Sequence, residues 1–256
     1  MTHRAGPTGP LRQRSALGGP ERQGAGAGRS VAAMDIGIVG AGNIGGNLTR
    51  AFTALGHTVR VANSRGPETL SGLANETGAS AVPATEAARG AELVVVTVPI
   101  KSVPDLPADL LDALPDGTVV VDTGNYYPRE RDGRIEDLEN GTPETVWTAG
   151  HLDSRGRLNW VKAFNGIQAE HLLTAGRPAG DLERRALPIA GDDERAKEVV
   201  SDLVDQLGFD AVDAGTLAES WRQQPGTPVY GAETGVEGVT EALAAASPER
   251  PAEFRG

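Results

Sequence analysis

Residues 35–48 read DIGIVGAGNIGGNL, and the order of residue types in them sets the fold. Residues 35–40 are a short apolar run that reads as a strand. Glycines follow at once, and then Ile44, Leu48, Ala51, Phe52 and Leu55 recur at the spacing of one helix face. Gly56 stops that helix as a glycine just past the last turn would. A strand that ends in glycines and opens directly into a helix gives meaning to GAGNIG, a G-x-G-x-x-G string at Gly40, Gly42 and Gly45. The first glycine permits the tight turn, the second lets the backbone approach a pyrophosphate, and the third lets helix pack close on strand. The helix opens by Asn43, so its free N–H groups and the positive end of its dipole face the phosphates. The stretch implies a dinucleotide site.

The second strand, TVRVA at 58–62, completes a βαβ unit of roughly 30 residues. The residue that would hold the adenosine ribose is then Asn63 or its neighbour. A carboxylate there accepts hydrogen bonds from both ribose hydroxyls and repels a 2′-phosphate, which selects NAD. This chain has Asn63-Ser64-Arg65 instead. Ser64 offers a hydroxyl, and Arg65 offers a planar fork suited to phosphate. Arg65 can also cover a face of the adenine. The expected cofactor is NADP(H).

Outward from this unit the alternation continues. Pro67 stands where a first-turn proline belongs, so PETLSGLANETG reads as the second helix. A short strand at 79–82 and a brief helix at 84–89 lead to ELVVVTVP at 92–99. That run has no polar alternation, as expected of a central parallel strand covered on both faces. A fifth strand follows at 118–122. Repeated βα units argue for an α/β fold, a Rossmann-type doubly wound parallel sheet. Ligands of such sheets lie outside the carboxyl ends of the strands, where strand order reverses. Thr97, Val98 and Pro99 are therefore the next expected contacts, with Pro99 shaping the nicotinamide side. Asp122-Thr123-Gly124-Asn125 should border the same crevice. Residues 125–141 are polar and read as a surface excursion. The alternation resumes with WVKAFN (160–165), a helix at 166–175, ALPIAG (186–191), a charged helix at 192–207 and FDAVDAG (209–215). The expected organisation is a leader at 1–33, an NADP-binding Rossmann domain at 34–150, a smaller C-terminal α/β part at 151–246 completing the acceptor pocket, and a tail at 247–256.

The leader differs in kind from the rest. It holds seven Gly, three Pro and five Arg against one acid, Glu21, and so carries +4 in a chain whose formal total is −11. It has no apolar h-region of a secretory signal and no adjacent pair of arginines. A segment this rich in Gly and Pro cannot build a core, so disorder is expected there. Met34 directly precedes the first strand and reads as the natural start, with the leader an artefact of start-site choice. A short functional tail is the alternative. The acidic total argues against nucleic acid and against an anionic membrane as partners, because the long-range field repels phosphates. With no cysteine in the chain, disulfides, thiolate metal sites and a Cys nucleophile are excluded, and no metal is expected. The longest apolar runs, such as LVVVTVPI, are too short to span a bilayer, and a cytoplasmic location is expected.

Taken together, GIVGAGNIGGNL, ANSRGPETL, VVVTVP, VKAFN and IAGDDERAKEVVSDLVDQLGFDAVDAGTLAES resemble the NADP oxidoreductase, coenzyme F420-dependent family. The resemblance runs from residue 34 to about residue 230 and is strongest in the nucleotide half and over 191–215. It implies a Rossmann domain with a small part completing the pocket, usually in a homodimer. The implied activity is hydride exchange between NADPH and a small-molecule acceptor, the deazaflavin F420. In that family the positions of Ser64 and Arg65 grip the 2′-phosphate, and those of Asn43, Ile44 and Pro99 line the cofactor. Archetypal archaeal members carry a histidine in the deazaflavin pocket where this chain has Asn165, which brings in a flavin as the alternative acceptor. Hydride transfer between two cofactors asks for positioning, with donor and acceptor atoms about 3–3.5 Å apart and water excluded. Asn165 is the candidate catalytic residue, orienting the acceptor or the nicotinamide carboxamide through its donor and acceptor together. Capping the following helix is the plainer reading of the same residue.

The remaining polar and aromatic residues say less. His3, His57, His151 and His171 show no metal-ligand spacing. His57, in a Gly-His turn, reads as a surface residue, and only His151 falls near the crevice. Trp147 and Trp160 read as packing, whereas Trp221 lies in SWRQQPGTPVY, a stretch able to wrap the site or a partner subunit. Two other functions fit the nucleotide half. One is an imine or 3-hydroxyacid-type reductase, which needs a long helical second domain. The other is a non-catalytic NADP-binding redox sensor. An open, acceptor-sized cavity beside the nicotinamide favours an enzyme, and a closed or solvent-flooded face favours the sensor.

Overall fold

The computed structural model describes residues 1–3 and 32–256, so the disorder expected over 1–33 falls almost wholly outside the described residues. Val31–Gly256 forms one compact unit. Within it β1 (Asp35–Val39) leads through α1 (Asn43–Ala54) to β2 (Thr58–Ala62). A 3₁₀ turn at Pro67–Leu70 precedes α2 (Ser71–Thr77), which Gly78 ends in a left-handed conformation. The single helix expected there is thus two pieces, divided at the buried Leu70. β3 (Ser80–Ala81), α3 (Ala84–Ala88), β4 (Leu93–Val96) and β5 (Val119–Asp122) complete the first half. The second half holds α4 (Glu136–Glu139), α5 (Glu144–Leu152), β6 (Asn159–Lys162) and α6 (His171–Thr174). β7 (Ala186–Gly191), α7 (Glu194–Gln206), β8 (Asp210–Asp213) and α8 (Val236–Ala244) follow.

The eight strands lie in the order β3-β2-β1-β4-β5-β6-β7-β8. Pairing is parallel from β3 through β6, antiparallel between β6 and β7, and parallel again between β7 and β8. This is the α/β, doubly wound Rossmann arrangement. Strand order reverses between β1 and β4, which opens a crevice beyond their carboxyl ends. The antiparallel step has a local cause. A parallel return needs a crossover helix, but residues 164–167 only bend and the helix expected at 166–175 shrinks to α6. α7 does supply a crossover, so β8 comes back parallel to β7. Asp193 caps α7, its Oδ1 accepting from the Ala196 N–H at 2.8 Å.

Side chains alternate across the sheet with period two. Ile36, Ile38, Leu93, Val95, Val119, Val121 and Val161 share one buried layer with Leu48 and Phe52 of α1 and Val200, Leu203 and Val204 of α7. Val94, Val96, Val120 and Trp160 share the other with Ala87, Ala88, Leu110, Leu111 and Leu114. Each large side chain removed from water this way contributes about 1.5–3 kcal/mol before the entropy of ordering it. Burial on both faces is why β4 and β5 carry unbroken apolar runs.

Two expectations drawn from composition need amending. Residues 125–141 are not a surface excursion throughout, since Tyr126, Pro128, Asp132 and Leu138 are buried between exposed residues. Their polarity is consumed internally: the Tyr126 hydroxyl accepts from the Ile135 N–H at 2.8 Å and donates to Glu139 at 3.0 Å. His57 is not a surface residue either, being 5% exposed with its ring edge-on to Phe52. Its Nδ1 accepts from the Met34 N–H at 3.1 Å, and burial pushes its pKa down. The expected packing of Trp147 and Trp160 is seen, both being buried.

Candidate nucleotide and acceptor site

The turn after β1 is shaped by close backbone approach. Gly40 has φ +109°, and a Cβ there would lie 2.2 Å from the Thr97 carbonyl oxygen at the end of β4. A Cβ on Gly45 would lie 1.9 Å from the Gly40 carbonyl oxygen, so α1 seats on its own turn only because Gly45 has no side chain. Gly42 differs. A Cβ there would meet no atom of the described residues within 4 Å, so the space before it is open among them. α1 has no side-chain cap and no acid in its first turn, which leaves its positive end to an anion.

At the tip of β2 the side chain of Asn63 is engaged within the turn. Its Oδ1 accepts from the Arg65 N–H at 3.0 Å, and its Nδ2 donates to Thr69 Oγ1 at 2.9 Å. Ser64 and Arg65 are thereby presented outward and exposed. The Arg65 guanidinium has no hydrogen bond or ion pair among the described residues, in contrast to Arg50, which holds Glu76 at 2.7 Å. A cleft of about 740 Å³ runs from Arg65 past the glycine turn to Pro99 and on to Ser102, Leu106 and Pro107. Gly40, Gly42, Asn63, Ser64, Arg65, Thr97, Val98 and Pro99 all line it. Asn43 lines an adjoining hollow that shares Gly42 and Arg65. Ile44 and Gly45 line neither: Ile44 packs on the core beside Leu48, and Gly45 lies buried under the turn. The open space before Gly42, the uncapped helix and the free guanidinium fit a pyrophosphate and a 2′-phosphate.

Beyond β5 and β6 the chain builds a different kind of wall, whose residues are not among those lining that cleft. Phe164, buried, takes φ +59° and turns Asn165 inward. Asn165 is 5% exposed. Its Nδ2 donates to Asn125 Oδ1 at 3.0 Å and to the Gln223 carbonyl at 2.6 Å, and its Oδ1 accepts from Gln223 Nε2 at 3.0 Å. The donor and acceptor expected to meet a substrate are therefore both engaged inside the protein. Asn165 also caps no helix, since α6 starts at His171 after Glu170. The half-buried residues of this wall are Asn125, Tyr127 and Tyr230. Asn125 Nδ2 donates to the Asn165 carbonyl at 2.8 Å and to the Tyr230 hydroxyl at 3.3 Å, and the Tyr127 and Tyr230 hydroxyls share a hydrogen bond. Burial, and next the bond with Tyr127, push the Tyr230 pKa far above the usual phenol range, so it stays protonated. Asn125 carried a sequence signal in its place at the end of an apolar strand, and Gln223 and Tyr230 lie in SWRQQPGTPVY, the stretch read as able to wrap the site. Tyr127 had no local pattern to mark it.

Other expected residues fall away from the cleft. His151 is exposed on the last turn of α5 with its ring against Trp147. Trp221 is half-buried under the Arg222 guanidinium, 4.6 Å from the ring centroid. No group of His, Cys, Asp or Glu able to hold a metal occurs among the described residues, and no helix there is long and apolar enough to cross a membrane.

A cleft at the switch point, with a glycine turn and a cation where the ribose acid would stand, has the make-up of an NADP(H) site on a doubly wound sheet. Residues 35–126 match the family model described as NADP oxidoreductase coenzyme F420-dependent. It is 30% identical over 188 residues to the metalloreductase STEAP3 of Rattus norvegicus, a match covering 73% of this chain and 35% of that protein. The chain spans well under half the length of the curated relatives it matches. Among solved structures, the hypothetical protein SMa0349 of Sinorhizobium meliloti is 32% identical with a TM-score of 0.64, over 80% of this chain and 95% of that one. A proposed F420-dependent NADP reductase from Arthrobacter sp. FB24 is 24% identical with a TM-score of 0.59, over 72% and 86% of the two chains. That likeness shows the shared fold.

Proposed function

We propose that this protein passes a hydride between NADPH and a flat deazaflavin (F420) or flavin-like small molecule, working as a homodimer. In this reading residues 34–150 hold the nucleotide and residues 151–246 complete the acceptor side. NADPH supplies the hydride from C4 of its nicotinamide. Gly40, Gly42, Asn43 and the start of α1 hold the pyrophosphate, with Ile44 and Gly45 fixing the helix that presents those N–H groups. Ser64 and Arg65 hold the 2′-phosphate, and Asn63 sets the turn that aims them. Thr97, Val98 and Pro99 shape the nicotinamide side. Asn165 acts as a positioning residue here: locked to Gln223, it fixes Asn125, the half-buried carboxamide of the wall.

The observation that carries the reading is the make-up of that wall. Asn125, Asn165 and Gln223 offer carboxamides, and Tyr127 and Tyr230 offer phenols of which Tyr230 is held protonated. Such groups orient a planar heterocycle without exchanging protons, which is all that a hydride step between two rings asks. The match of residues 35–126 to the F420-dependent family model supports the same acceptor class. The test is NADPH oxidation followed in parallel with F420, FMN, FAD, ferric chelates, a cyclic imine and a 3-hydroxyacid. Turnover with F420 or a flavin is expected, with the label of stereospecifically deuterated NADPH delivered to the acceptor. With F420, whose accepting ring atom is a carbon that keeps its label, label found only in water overturns direct transfer; a flavin accepts on a nitrogen that exchanges its label with water. Consumption by none of these acceptors leaves an NADP-binding sensor, and a dimer is checked by sedimentation.

A further inference from the structure

The turn that carries Asn125 is held by buried charges on nearly every side. Asp122 Oδ1 accepts from the Gly124 N–H at 2.9 Å, and Lys162 Nζ donates to the Gly124 carbonyl at 2.8 Å. Glu144 Oε1 accepts from the Tyr126 N–H at 3.0 Å, and Asp132 Oδ2 accepts from the Tyr127 N–H at 2.8 Å. Lys162 and Glu144 have fully buried side chains and pair at 3.1 Å. Thr145 Oγ1 joins Lys162 to Asp122, at 3.4 and 2.6 Å. Asp122, Glu144 and Lys162 alone sum to one uncompensated negative charge in a site closed to water.

The missing positive charge comes from the segment read as a tail. Arg250 reaches Glu144 Oε1 at 3.3 Å and Gln224 Oε1 at 2.6 Å, and its guanidinium lies 5.1 Å from the centroid of the Tyr126 ring. Its side chain is only 12% exposed. The flanking backbone is fastened to the body: Arg129 donates to the carbonyls of Arg255 at 2.8 Å and Ala252 at 2.9 Å, and Arg134 donates to Gly256 at 2.9 Å. Residues 247–256 thus form a strap from which the Arg250 side chain neutralises the cluster. Glu144 Oε1 is the same atom that holds the Tyr126 N–H. A buried carboxylate stripped of one partner has to shift toward water or toward its remaining partners. Either movement drags the Tyr126 amide and, next to it, Asn125.

We propose that Arg250 is a positioning residue for the acceptor side, acting through Glu144 and Lys162 on the turn 124–127. The proposal rests on the assignment of Asn125 to the acceptor wall. The test compares Arg250→Met, which keeps the stem without the charge, with Arg250→Lys in the full chain. Backbone amide exchange over 124–127, NADPH affinity by titration, and kcat and KM for the acceptor that turns over are measured in each. Arg250→Met should raise exchange at 126 and 127 about tenfold, leave NADPH affinity within twofold, and lower kcat about tenfold. Arg250→Lys should recover most of both losses. Unchanged exchange at 126 and 127 overturns the proposal, as does an increase spread evenly over the sheet, because either outcome makes Arg250 a mere fastener. Raised local exchange with unchanged turnover sustains the link from Arg250 to the turn and counts against the acceptor wall instead.

Discussion

At the carboxyl ends of β1 and β2 the cofactor side presents Gly42, Ser64 and Arg65 to solvent, with the guanidinium free of partners among the described residues. At the ends of β5 and β6 the opposite holds. Asn165, Gln223, Lys162 and Glu144 are buried, and they use their polar atoms largely on one another. An exposed group with free capacity costs little before its ligand arrives, because water satisfies it. A buried group left unpaired costs about 1–3 kcal/mol, so the second wall has to be closed within the fold. Substitutions on the first side should therefore cost binding and spare folding. On the second they should cost folding and turnover and spare NADPH binding.

The sharpest break of this contrast lies within the glycine turn. Gly45→Ala drives a Cβ against the Gly40 carbonyl and should weaken NADPH at least about 100-fold while destabilising the fold by about 1–3 kcal/mol, as overpacking does. Gly42→Ala meets no atom of the described residues and should leave the melting temperature unchanged while still weakening NADPH. Calorimetric titration and thermal melts read both, and equal melting losses in the two variants would deny the open cradle. Next in size, Arg65→Ala should weaken NADPH by about 1.5–3 kcal/mol, the scale of hydrogen bonds to a charged group, with NADH nearly untouched. Equal losses for the two cofactors would make Arg65 structural.

On the closed side, Asn165→Ala leaves the Gln223 carbonyl and Asn125 Oδ1 without their donor, while Gln223 Nε2 keeps the Lys162 and Pro188 carbonyls, and should cost about 1–2 kcal/mol of stability. kcat should fall while the NADPH dissociation constant stays within about twofold, the pattern of an interaction made only in the transition state. A rise in KM alone, with kcat intact, would return Asn165 to direct substrate contact. The smallest effect concerns His57, which lies on neither wall. Burial lowers its pKa below the unfolded value of 6.5, so the unfolded chain binds the proton more readily. Its contribution to stability is complete above that pH and is lost as pH falls through the folded pKa. Urea melts across pH 7 to 5 should show the loss, and His57→Gln should flatten it.

How legible each part was follows from how far apart in sequence its contacts lie. The glycine string, the strand before it, the helix after it and the Asn63-Ser64-Arg65 turn sit within residues 35–66, and their geometry is set by neighbours in the chain. They could be read directly, as could the unbroken apolar runs of a sheet covered on both faces. Lys162 left one usable trace, an ionisable residue inside the apolar strand WVKAF, which has to be paired if buried. Its partner Glu144 lies 18 positions away, and Arg250 lies 106 positions from Glu144. No local pattern joins them. Composition misled at 125–141 and at His57 for the same reason, since polar residues satisfied by distant partners look like surface residues.

The sequence by itself determined the doubly wound sheet, the glycine turn after β1 and the arginine exposed after β2. Each is fixed by backbone conformation and by the residue types within a single βαβ unit. Only the tertiary structure decided that β7 runs antiparallel to β6, that Asn165 faces inward and that residues 247–256 neutralise a buried cluster. Those outcomes depend on which polar atoms lose water together, and burial is a property of the assembled chain rather than of any segment of it.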